Sequence, residues 1–142
     1  YKLLTDLERA GGLAANLESY AAAAEHELPP AVDIRRIGAV VVGMLADALD
    51  AYAEGDAATC WDVAHRDGEV DAACEAAGEA VVRELVRAGP EAADDAPSLS
   101  ALLPEGRRLL STLRDLERVG DHAAAVAART RYLVAGDDVL VG

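Results

Sequence analysis

Phenylalanine is absent from this chain, and one tryptophan and four tyrosines are its entire aromatic complement. A core built without Phe must come from Leu, Val and Ala. Lysine occurs once, at Lys2, so the 13 bases are otherwise arginines, and they face 26 acids for a net charge of −13. Phosphate contacts need clustered cations, which excludes nucleic-acid contact by this segment. Arg over Lys suits a high-GC genome, and the acid excess suits a high-salt cytoplasm, together the pattern of a halophilic protein. An ordinary acidic domain has the same signature.

Long apolar runs are also missing. The longest, 37–46, falls well short of the roughly 20 residues that span a bilayer, so no membrane insertion is expected. No secretory leader is visible. The chain begins at Tyr1 with residues that already read as helix, so further sequence is expected upstream. The two cysteines, Cys60 and Cys74, fall in one predicted helix, where fourteen residues at 1.5 Å each separate them by about 21 Å. That is too far for a disulfide. They read as buried small apolar groups in a reducing, cytoplasmic setting. Without a CxxC pair, a zinc ribbon or thiol redox motif is excluded.

What remains is helix-forming. The 142 residues are 52% apolar and include 32 alanines, enough for a core in one domain or in two small helical units sharing one. Punctuation divides them into four segments. The first runs over 2–26 and stops at Pro29 and Pro30. The second starts at the N-cap Asp33, buries Ile37, Val41, Met44, Ala48 and Tyr52, and ends at Gly55. The third starts at the N-cap Asp56 and ends at Gly89, with a seam of Val63, Val70, Cys74, Ala77, Val81 and Leu85. Residues 89–98 form a polar loop. Pro104 fits a first helical turn, so 98–103 is expected as a separate turn and the fourth helix as running from Pro104 to Ala135, stopped by Gly136. Its seam is Leu109, Leu113, Leu116, Gly120, Ala123, Val126, Thr130 and Leu133. Gly120 and Ala123 leave room for a close neighbour. The expected fold is all-α, an antiparallel helical bundle of about four long helices. Trp61 and the tyrosines are assigned to packing.

Two carboxylate pairs have metal-ligand spacing. Asp67 and Asp71 share one side of the third helix, and Glu117 and Asp121 share one side of the fourth. Each pair borders an apolar seam. Four carboxylates brought together there would not all stay ionised without cations. Oxygen donors favour magnesium, manganese or iron, or zinc with added ligands, and His65 and His122 are weaker candidates. Spacing alone leaves two alternatives open, because Asp71/Glu75 and Glu75/Glu79 repeat it. The acids could be solvated surface, or partners of Arg66, Arg114 or Arg118. No nucleophile elbow or phosphate-cradling glycine loop is present, so no catalytic residue is assigned. A carboxylate-bridged metal enzyme is the least supported class.

A twelve-residue segment occurs twice. Residues 6–17 (DLERAGGLAANL) and 115–126 (DLERVGDHAAAV) share seven positions, the mark of one structural unit used twice. The second copy, above all Leu-Glu-Arg-Val-Gly-Asp-His-Ala at 116–123, resembles the signature helix of the PhoU family of phosphate-uptake regulators. Residues 37–56 resemble the first helix of a PhoU repeat, and Arg-Asp-Gly-Glu-Val-Asp at 66–71 the second. The resemblance implies that 31–142 is a complete three-helix repeat and that 1–30 is the last helix of a truncated preceding one. It also implies a typically dimeric, non-enzymatic protein. Such a protein restrains phosphate uptake and couples the phosphate transporter to a sensor kinase.

The family's E(D)xxxD motifs bind metal, and Asp67/Asp71 and Glu117/Asp121 both match them. In the first copy Glu8 is kept, but Gly12 and Leu13 stand where the second has Asp121 and His122, so metal is expected at the complete repeat alone. Ala125 departs from the family's Asn, which the first copy keeps as Asn16. Some relatives join this region to a DNA-binding domain. The alternative role is therefore the dimerising or sensing part of a transcriptional regulator whose DNA-binding domain lies upstream.

Overall fold

The structure, a computed structural model, describes Thr5, Glu8, Arg9, Gly12, residues 32–89 and residues 98–141, with the backbone alone given for 137–141. Its long elements are three helices, α1 (Ile34–Glu54), α2 (Ala57–Arg87) and α3 (Leu99–Val141). The helix expected over 2–26 lies outside the described residues except for Thr5, Glu8, Arg9 and Gly12, each of which is helical. No strand occurs among the described residues.

Caps set the boundaries as expected. The Arg36 N–H donates to Asp33 Oδ1 at 3.0 Å, starting α1. Gly55 ends it in the left-handed region, φ 69°, a conformation that glycine adopts without a Cβ clash. Asp56 then caps α2, accepting from the Ala58 and Thr59 N–H groups at 3.0 and 3.2 Å and from the Thr59 hydroxyl at 2.6 Å. These hydrogen bonds hold the Asp56 carboxyl below its ordinary pKa, the Thr59 hydroxyl contributing most.

Two expected boundaries in α3 are corrected. Pro104 lies inside the helix, which begins at Leu99 without a separate turn. Pro104 lacks the N–H that would reach back to the Ser100 carbonyl, and both residues are exposed in the opening turns, where an unpaired carbonyl is open to solvent. Gly136 does not stop the helix, because it does not take the positive φ of a terminating glycine.

Contacts define the directions. Along α2 and α3, Leu85 meets Gly106, Leu110 meets Gly78, and Asp67 meets Gly120, an antiparallel register. Along α1 and α3, Gly38 meets Leu116 and Gly55 meets Val134, a parallel one. The described bundle is thus up-down-up. Met44, Ala48, Cys60, Val63, Leu116, Val126 and their neighbours form one core.

The apolar seams hold with two corrections. Tyr52 is 46% exposed and Ala51 takes the core position, its small side chain admitting close approach beside the turn. Leu133 is 52% exposed because α3 there reaches the end of α1 and runs out of cover. Val119 and Ala127 are buried besides the expected seam, since α3 packs against two helices and needs the wider apolar face. Cys60 and Cys74 are buried free thiols, as expected.

Candidate metal centre

The candidate site lies where α2 crosses the middle of α3. Asp67 and Asp71 project from successive turns of α2, and Asp121 projects from α3. One carboxylate oxygen of each lies within 4.8 Å of the others. Glu117, one turn before Asp121, stands outside this set but within its field.

Gly120 permits the approach. A Cβ there would lie 3.1 Å from Asp67 Oδ1 and 3.6 Å from Val70, so any larger residue presses on the carboxylate. The sequence marked Gly120 as a close-approach point, and Asp67 is what approaches.

The electrostatics are unfavourable without a cation. Asp67 Oδ1 is buried with no hydrogen-bond donor. Burial, and then the charges of Asp71 and Asp121, push the Asp67 pKa up from 3.8 to about 6. Burial, Asp71 and Asp121 raise Glu117, against the lowering effect of Arg114. Burial and Asp71 raise Asp121, against His122. Burial, and then the charges of Glu117 and Asp71, push Cys74 up to about 12, which keeps it a neutral thiol beside the cluster. Carboxylates that disfavour one another, with an orphaned oxygen among them, fit a hard or borderline divalent cation.

Two of the three arginines offered as alternative partners go elsewhere. Arg66 pairs with Asp47 of α1, a bridge the sequence did not reveal because the two lie nineteen residues apart. Arg118 reaches Asp115, 4.0 Å away. Arg114 alone acts on the cluster, through Glu117. His65 is exposed and sits 3.7 Å from Glu69, outside the converging set.

The assignment of the aromatics to packing is corrected for Tyr52, Trp61 and Tyr132, while Tyr1 and Tyr20 lie outside the described residues. Trp61 is 60% and Tyr132 80% exposed, and the Arg131 guanidinium lies 3.5 Å from the centre of the Trp61 ring.

The fold and site define a class: an all-helical bundle with a carboxylate cluster between two of its helices. The model of the PhoU domain matches residues 34–130, which take in α1, α2 and most of α3, and the chain belongs to the PhoU family. It is 38% identical over 141 residues to a phosphate-specific transport system accessory protein PhoU homolog of Pseudomonas aeruginosa, covering 97% of this chain and 54% of that protein. The same identity and coverage of this chain hold for the homolog of Pseudomonas putida, of which 51% is covered. A Methanothermobacter thermautotrophicus homolog is 30% identical, with 94% of this chain and 57% of the relative aligned. The chain thus spans about half the length of these relatives. No solved structure gives a significant match.

Proposed function

We propose that this chain is a non-enzymatic regulatory module of phosphate uptake that acts through protein contacts and carries a divalent cation between α2 and α3. The observation that carries the reading is the convergence of Asp67, Asp71 and Asp121 around an orphaned buried oxygen. The names of the relatives, accessory proteins of a phosphate-specific transport system, supply the process.

Asp67, Asp71 and Asp121 would hold the ion, and Glu117 stands close enough to join them. Magnesium, manganese, iron or zinc are the candidates that such oxygen donors accept. A cation here would cross-link two helices and neutralise mutual repulsion. Its role is to fix the shape of the α2–α3 surface.

The reading extends to the whole protein. Residues 31–142 are taken as one complete repeat, 1–30 as the end of another, and the assembly as a cytoplasmic homodimer. Its partners are components of the phosphate transporter or its sensor kinase. No helix among the described residues is long and apolar enough to cross a membrane, in keeping with an accessory role.

The test is replacement of Asp67, Asp71 and Asp121 by Asn in the full reading frame, with phosphate uptake measured in phosphate-rich cells. The expected outcome is loss of restraint on uptake with an unchanged helical circular-dichroism spectrum. Unaltered uptake would remove the site from the regulatory mechanism.

A further inference from the structure

Helix α1 carries apolar residues on two sides. Ile37, Val41, Met44 and Ala48 face the core. On the outer side Ala39, Val42, Ala46, Leu49 and Ala53 recur at alternating steps of three and four. All five are exposed, Val42 by 64% and Leu49 by 37%. The outer face of a surface helix is ordinarily polar. An apolar seam with a period of about 3.5 residues is instead the pattern by which one helix packs along another.

Apart from Asp47, which pairs with Arg66, the charges of α1 stand at the two ends of this seam. Arg35 and Arg36 lie in the first turn, and Asp50 and Glu54 lie toward the end. No acid occupies the first turn and no base the last. That order opposes the helix dipole, which favours acids at the N-terminus and bases at the C-terminus. All four charged residues are exposed, and none forms an ion pair with another described residue.

We infer that the Ala39–Ala53 face of α1 is a docking surface for a second copy of this chain, seated antiparallel on the same face. The face is self-complementary in size and in charge, as a two-fold interface requires. With Val42 opposite the second copy's Ala46, Ala39 meets the second copy's Leu49. Each layer then sets a small residue against a large one, and the alanines admit a close approach. The same register brings Arg35 and Arg36 to the level of the second copy's Glu54 and Asp50. Ends that oppose the dipole within one helix are thereby neutralised across two. A parallel pairing would set Arg against Arg and acid against acid. The net charge of −13 opposes association elsewhere on the surface, and the five seam residues carry none of it. This surface supplies the homodimer of the proposed function and rests on that reading.

Association is read by sedimentation equilibrium of the chain in chelator, and the natural chain is expected to dimerise. Val42→Gln/Ala46→Gln adds no charge and keeps good helix formers, so it should be monomeric with an unchanged helical spectrum. Arg35→Glu/Arg36→Glu and Asp50→Arg/Glu54→Arg each turn attraction into repulsion at both ends of the pair. Each should raise the dimer Kd by about tenfold. Both reversals suit the helix dipole, so neither should cost folding, which melting checks. Mixed in equal amounts, these two variants should form heterodimers well above the statistical share, read by native mass spectrometry.

Asp67→Asn/Asp121→Asn should dimerise as the natural chain does, which separates this surface from the proposed cation site. A natural chain that stays monomeric would overturn the inference together with the homodimer, leave the cation site standing, and hand the face to a different protein. A dimer that persists in Val42→Gln/Ala46→Gln would overturn this surface alone. Statistical mixing of the two charge variants, with neither weakened, would do the same.

Discussion

Asp67 carries the conflict on which the site turns. Its pKa in the folded chain is about 6, against an ordinary 3.8. Between those values the folded state binds the extra proton, so stability falls as pH rises through that window. The penalty is absent below the lower value and fully present above the upper one. Glu117 and Asp121, also raised, act in the same direction. In chelator the chain should therefore melt at a higher temperature at pH 5 than at pH 7. Asp67→Asn should flatten the difference and raise the Tm at pH 7, and a profile that rises with pH would contradict the assignment.

Leu116 makes the complementary case in the core. It is 1% exposed, one of the largest fully buried side chains. Leu116→Ala should cost about 2–5 kcal/mol in denaturant unfolding, because a packed core relaxes only partly around a cavity.

At the scale of elements, the turn between α1 and α2 sets the pairing of those two helices. Gly55 holds a positive φ, and Gly55→Ala should cost about 1–2 kcal/mol by forcing a Cβ into that conformation. Pro104 is the opposite case, a residue working against its helix. Pro104→Ala should stabilise by about 1 kcal/mol, less than the roughly 3 kcal/mol of a buried helix interior, since the turn before it is exposed. Denaturant unfolding reads both.

These two residues also mark where sequence reading succeeds and where it stops. Asp33, Gly55 and Asp56 act through the backbone within a few residues of themselves, so their pattern alone located three boundaries. Pro104 carries a local preference that the packing of α3 on Leu85 at Gly106 overrides, whereas Gly136, with nothing packed against it, lacks the positive φ that would have stopped the helix, and both were misplaced. The acid pairs were visible as i, i+4 spacings. Which of them converge depends on helix register, and Gly120 under Asp67 records it. The Arg66–Asp47 bridge and the Arg131–Trp61 stack join residues far apart in sequence, and no spacing rule reaches them.

For the whole molecule, composition and architecture serve one arrangement. Leu, Val and Ala make a thin-walled bundle in which helices approach closely. Most of the described acids are exposed, yet three are driven together between α2 and α3. A cation bound only by the folded chain stabilises it by mass action, by about 2.7 kcal/mol at a free concentration one hundred times the Kd. Manganese or magnesium at saturation should therefore raise the Tm at pH 7, and the rise should vanish in Asp67→Asn/Asp121→Asn.

The cluster is proposed to hold a cation. Metal content per chain, by elemental analysis of protein purified without chelator, tests it most directly, with Asp67→Asn/Asp121→Asn measured in parallel. Near-stoichiometric iron, zinc, manganese or magnesium is expected in the natural chain, and its loss in the double variant. Equal metal in both proteins, or none in the natural chain, would contradict it.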